Sequence, residues 1–131
     1  MSKQVIGGPF AAAGMRLPFS KAVRAGDLVF VSGQMATDTN GRFAVGSMED
    51  EARQVFANIE AILAEAGCTM ADVVKCTCWI DDPRDFSQFN AVFAEVFPDQ
   101  PPARSTVVSK LVMNAKLEVE AIAYKLGPAV A

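Results

Sequence analysis

Ser47 to Gly67 reads as one amphipathic helix, and the rest of the chain has to be arranged around its single apolar face. Ser47 and Asp50 stand at N-cap and N3 spacing, and Glu49 and Glu51 put negative charge in the first turn, where the helix dipole favours it. Ala52, Val55, Ile59, Ile62, Leu63 and Ala66 recur at helical spacing, and Gly67 supplies a C-terminal stop. A face of that kind needs an apolar partner. Val73 to Ile80 supplies one, a run of β-branched and bulky residues ended by Asp81-Asp82-Pro83. A second helix, from about Asp85 to Val96, places Phe86, Phe89, Val92, Phe93 and Val96 on its inner side, where an aromatic stripe serves as core. Pro98 to Pro102 forms a stiff linker, and Ala103 to Ser109 and Lys116 to Leu126 are two further strands.

Upstream of the first helix, Lys21–Arg24 and Leu28–Met35 flank the turn Ala25-Gly26-Asp27 and form a hairpin. Residues 1–17, punctuated by Gly7, Gly8, Pro9 and Gly14, read as an irregular lead-in. The order hairpin, helix, strand, helix, strand, strand predicts a single α+β domain over residues 1–131, with one mixed sheet and both helices on one face. The other face then needs cover. Either Val119, Ala121 and Ala123 or Ile122 and Tyr124 would meet water there, so the pattern predicts an oligomer.

Composition narrows the chemistry. The formal net charge is −3 and Lys and Arg form no run, which argues against a nucleic-acid partner. No apolar stretch nears the roughly 20 residues that span a bilayer, and Met1 to Phe10 holds no apolar signal segment, so no membrane partner is expected. Three cysteines fit reduced, buried thiols in a cytoplasmic protein. The chain has no histidine, which removes histidine triads, histidine bases and histidine-ligated metals.

Two residues carry the strongest chemical signal. Arg104 opens an apolar strand directly after Pro101-Pro102, where a guanidinium grips a carboxylate through two parallel hydrogen bonds or else forms an interface salt bridge. Glu120 lies inside a strand of small apolar residues. A carboxylate there either holds a water or belongs to a buried ion pair. Strand alternation puts Glu118 on the same face, read as a solvated or interface charge. Ser32-Gly33 either presents a hydroxyl and a backbone N–H to a ligand or is a bulge, and Asn90 is either a ligand contact or a surface residue. Gly7-Gly8-Pro9-Phe10 lacks the downstream Gly-Lys-Ser/Thr of a phosphate loop.

Together these pieces resemble the RidA/YjgF/YER057c/UK114 family. The resemblance is carried by Gly26-Asp27-Leu28-Val29-Phe30-Val31-Ser32-Gly33-Gln34, Asn58-Ile59, Asp72-Val73-Val74-Lys75, Phe89-Asn90-Ala91-Val92-Phe93, Pro102 to Val107 and Glu118 to Ala123. It implies a chorismate-mutase-like fold, a homotrimer with a central β-barrel and three intersubunit clefts. The implied activity is cofactor-free hydrolysis of reactive imines and enamines to 2-oxo acids and ammonia. Arg104 matches the residue that binds the substrate carboxylate, and Glu120 is matched to the residue that positions water. Ser32, Gly33, Asn90, Ser105 and Thr106 match the cleft lining, with Thr106 where the family often has Cys. Phe19 stands where the family has Tyr, so a larger or more apolar imine becomes a candidate substrate. Two further readings are a pathway-specific deaminase and a non-catalytic binder of 2-oxo acids. Chaperone and ribonuclease roles, also ascribed to the family, find no support in these residues.

Overall fold

The computed structural model of the chain describes residues 2–12, 15–43 and 46–127, without the side chains of residues 9–12. Six strands and two helices follow in the order β1 (Gln4–Ala12), β2 (Met15–Ala25), β3 (Leu28–Gln34), α1 (Met48–Glu65), β4 (Val73–Ile80), α2 (Phe86–Val96), β5 (Ala103–Val108) and β6 (Leu117–Tyr124). The strands form one mixed sheet in the order β1-β2-β3-β6-β4-β5. Only β4 and β5 run parallel, and α2 makes the crossover between them.

The irregular lead-in is corrected. Residues 4–12 pair antiparallel with β2, from Gln4 opposite Arg24 to Ala12 opposite Met15. Gly7 (φ 71°), Gly8 (φ 73°) and Pro9 look like breakers in the sequence. They sit where the register shifts between Ile6 and Pro9, on an edge strand whose outer side needs no donor, so the strand absorbs them. Gly14 lies outside the described residues.

Helix α1 begins as its sequence dictates. The Asp50 N–H donates to Ser47 Oγ at 3.2 Å, and the Ser47 N–H donates to Asp50 Oδ2 at 3.3 Å. At the other end Gly67 takes φ 76°, and Arg24 Nη2 donates to the Ala66 carbonyl at 2.8 Å. The apolar sides of both helices bury against the same sheet face. Val55, Ile59 and Leu63 of α1 and Phe89 and Val92 of α2 share one core with Leu117, Val119, Ala121 and Ala123 of β6. This settles which set of β6 side chains turns away. Tyr124 is 50% exposed, and Phe30, paired with Ile122, is 41% exposed.

Cys68, Cys76 and Cys78 are all buried free thiols. Burial, with a lesser push from Cys78, raises the Cys76 thiol to about 12, and burial raises Cys78 to about 11. A thiolate is the reactive form, so both are inert at neutral pH. Iodoacetamide at pH 7.5 is expected to leave Cys76 and Cys78 unmodified in the folded chain and to alkylate them in urea. Rapid native labelling of either, read by mass spectrometry, would contradict this burial.

Candidate active site

Sheet register decides which candidate residues share a surface. Arg104 lies beside Cys76, which pairs with Ala121. Ser105 lies beside Thr77, which pairs with Glu120. Paired residues project to the same side, so Arg104 and Thr106 turn toward the helices, while Ser105, Glu118 and Glu120 turn to the open face. Arg104 and Glu120 therefore occupy opposite faces of one sheet. The chain alone does not bring them together.

On the helix side, the Arg104 guanidinium carbon stands 4.6 Å from the Phe93 ring centre, 5.4 Å from Phe89 and 5.7 Å from Phe86. Among the described residues Arg104 forms no salt bridge and donates no hydrogen bond. Two polar atoms on this side are buried: Asn90 Oδ1, on α2 between Phe86 and Phe93, without a partner, and Thr106 Oγ1, two residues along β5, beside the Cys78 thiol. Arg104 and Asn90 thus keep unused hydrogen-bonding capacity on the helix side of the sheet.

On the open face, Glu118 and Glu120 lie on one side of β6, and neither has an ion-pair partner among the described residues. Glu120 therefore has no structural ion pair among the described residues. Burial, and then the charge of Glu120, raises the proton affinity of Glu118 above the ordinary value of 4.5. Opposite them, Ser32 and Gly33 fall between the pairs Val31–Ala121 and Gln34–Val119, two residues facing Glu120 alone. That is a β-bulge, and it brings backbone close to a carboxylate: a Cβ at Gly33 would collide with Glu118 Oε2. The Ser32 hydroxyl donates to the Ser20 carbonyl at 2.6 Å, so it ties β2 to β3 and leaves only its oxygen free to accept. Phe19, one residue before that carbonyl, is 48% exposed and borders a shallow recess of about 240 Å³ with Arg16, Leu17 and Pro18. Lys75 Nζ donates to Ser105 Oγ at 3.2 Å on this same face. Asn58 is structural: its Nδ2 donates to the Met35 and Thr37 carbonyls at 3.0 and 2.8 Å and fixes the chain leaving β3.

The candidate residues fall into two half-sites, Arg104–Asn90–Thr106 and Glu118–Glu120–Ser32–Gly33. The sequence reads Glu118 as a solvated or interface charge, and the structure places it partly buried on the open face. Its two-residue spacing from Glu120 already placed it on the same face, and the bulge at Gly33 adds the desolvation that distinguishes it.

Residues 11–125 match the family described as Endoribonuclease L-PSP. A RutC family protein of Pyrococcus horikoshii is 44% identical over 110 residues, covering 82% of this chain and 87% of that protein. The 2-iminobutanoate/2-iminopropanoate deaminase of Dermatophagoides farinae is 38% identical over 122 residues, covering 92% and 94%. The crystal structure of yeast Mmf1 matches with a TM-score of 0.86 at 34% identity, over 95% of this chain and 99% of that one, so the six-stranded sheet with its two helices is a shared fold.

Proposed function

The chain belongs to the RidA/YjgF/YER057c/UK114 family, and on that premise we propose that it hydrolyses 2-imino and 2-enamino acids to 2-oxo acids and ammonia. One observation carries the reading: an arginine unpaired among the described residues and two neighbouring carboxylates, of which Glu118 is desolvated, lie on opposite faces of one sheet, beside an uncovered apolar surface. Two chains packed through that surface bring the arginine of one to the carboxylates of the other. We take the assembly to be a homotrimer with three such clefts, placed in the cytoplasm.

In the cleft, Arg104 grips the substrate carboxylate with in-plane N–H donors. The imine carbon then faces a water held by Glu118 and Glu120. Glu118, whose proton affinity is raised, takes the water proton as the oxygen bonds to the carbon, and the nitrogen accepts a proton. The carbinolamine collapses: its hydroxyl proton passes to the nitrogen, the C–N bond breaks as the C=O forms, and a 2-oxo acid and ammonia leave. An enamine enters after protonation at C3 makes it the imine. Much of the rate comes from holding the reactants together.

The test is a trapping assay. Purified protein added to a threonine dehydratase or amino-acid oxidase reaction is expected to lower the semicarbazide-trapped imine. Unchanged trapping at all protein concentrations would remove the deaminase reading.

Substrate preference follows from Phe19. Beside its exposed ring lie Leu17 and Pro18, an apolar rim that favours larger, less polar imines. Phe19→Tyr restores a hydroxyl and is expected to shift the ratio of kcat/KM toward small imines by about tenfold. A ratio unchanged between 2-iminopropanoate and the imine of leucine would show that Phe19 does not set preference.

A further inference from the structure

We propose that Phe86, Phe89 and Phe93 form an aromatic shelf whose role is to hold Arg104 as an unpaired cation, making the three rings positioning residues for carboxylate binding. The inference rests on Arg104 being the carboxylate clamp. It begins from how the guanidinium is held. A charged group on a partly buried strand is ordinarily held by an opposite charge. The chain offers a direct contrast in Arg84, whose Nε donates to Asp82 Oδ2 at 3.0 Å and whose Nη2 donates to the same oxygen at 2.6 Å. That arginine is oriented, but its donors are taken and its charge is matched. Among the described residues Arg104 has no such acid, and three phenyl rings lie against it instead, the nearest centre 4.6 Å away.

The two arrangements differ in what they leave free. An acidic partner binds the edge of a guanidinium, where the N–H donors lie. An aromatic ring attracts the cation through the negative face of its π system. It accepts no N–H bond in the guanidinium plane and carries no net charge. A shelf of rings thus orients Arg104 while leaving its positive charge and its donors for a ligand. A carboxylate in the same place would compete with every anionic substrate.

The helix makes the shelf rigid. Phe86, Phe89 and Phe93 follow at i, i+3 and i+7 on one side of α2. Phe93 packs at 4.8 Å from Phe97 and 5.8 Å from Phe56, and Phe89 packs at 6.3 Å from Phe56. Phe89 and Phe93 are buried, so their ring planes are fixed by the core, while Phe86, 40% exposed, closes the outer end.

The experiment measures binding of 2-oxobutanoate, a stable 2-oxo acid, to the full chain by calorimetry, with melting temperature recorded in parallel. Phe86→Leu and Phe93→Leu keep apolar bulk but lose the π face, and each is expected to weaken binding about threefold to tenfold. Phe93→Tyr keeps the ring and is expected to bind within about twofold of the parent. Phe86→Glu introduces the missing acid and is expected to weaken binding more than Phe86→Leu does. In turnover, the leucine variants are expected to raise KM with little change in kcat, a split that general destabilisation does not produce. Should Phe93→Leu fail to fold, the Phe86 variants decide, since that ring lies at the rim of the core. Stable leucine variants that bind like the parent, while Arg104→Ala does not bind, would overturn the shelf and leave the clamp. Undiminished binding by Arg104→Ala would overturn both.

Discussion

An Arg104→Ala variant is expected to fold as the parent does and to lose on the order of 10²- to 10³-fold in kcat/KM, the result of removing one side of a desolvated, hydrogen-bonded charge pair with the substrate. Folding survives because Arg104 has no ion pair among the described residues and the rings beside it retain their own packing. Arg104→Lys recovers little, because a point charge cannot supply two parallel donors. The imine-trapping assay reads both. A stronger form of the same test uses two dead proteins. Arg104→Ala and Glu118→Gln chains are each expected to be inactive alone and, mixed and co-refolded, to regain activity, since in the proposed assembly one chain supplies the arginine and its neighbour the carboxylate. With random assembly of equal amounts, about one quarter of the clefts are intact. Absence of any recovery from verified mixed oligomers would place both groups in one chain's own site, against the sheet register that puts them on opposite faces.

Glu118→Gln is expected to lower kcat by about 10²- to 10³-fold, the usual range for loss of a positioned general base. Glu120→Gln is the internal comparison. If Glu120 alone holds the water, its variant suffers the larger loss and the assignment of Glu118 falls. The pH dependence follows from the raised proton affinity of Glu118. As a base, Glu118 must be ionised, so activity rises with pH through its elevated pKa and levels off above it. Stability runs the other way. In the window between the ordinary value of 4.5 and the elevated one, the folded chain binds more protons than the unfolded chain. Stability therefore falls as pH rises through that window, because burial and the Glu120 charge disfavour the ionised form. Glu118→Gln removes this slope, so thermal melts from pH 4 to 8 are expected to converge at the acid end and to show the variant more stable at pH 7. A variant less stable at pH 7 would show Glu118 to be structural.

Much of the fold was legible because local signals agreed. The Ser47–Asp50 cap, the apolar side of α1 and the run Val73–Ile80 each specify one conformation, and the structure has all three. The first strand was not legible. Two positive-φ glycines and a proline normally end a strand, and only pairing with β2 at a sheet edge overrides them. Arg104 was legible as a candidate because Pro101-Pro102 stiffens its approach. That Arg104 and Glu120 face opposite ways was not, since it depends on which β6 residue pairs with Thr77, a long-range register that periodicity cannot supply. The helical spacing of the aromatic stripe of α2 predicts core, and Phe89 and Phe93 are core. Its second role appears only once β5 sets a cation against the end of the stripe.

The strand order has a consequence for how the molecule is made. Among the described residues β6 is the last strand in chain order, and it lies between β3 and β4. Until residues 117–124 leave the ribosome, the hairpin strands on one side and the β4–β5 pair on the other have no common neighbour, and each shows an unpaired apolar edge. Nascent chains halted after β5 are therefore two half-sheets prone to join other chains edge to edge. The segment carrying both carboxylates is also the wedge that completes the sheet, so a chain that lacks this strand lacks the finished fold as well.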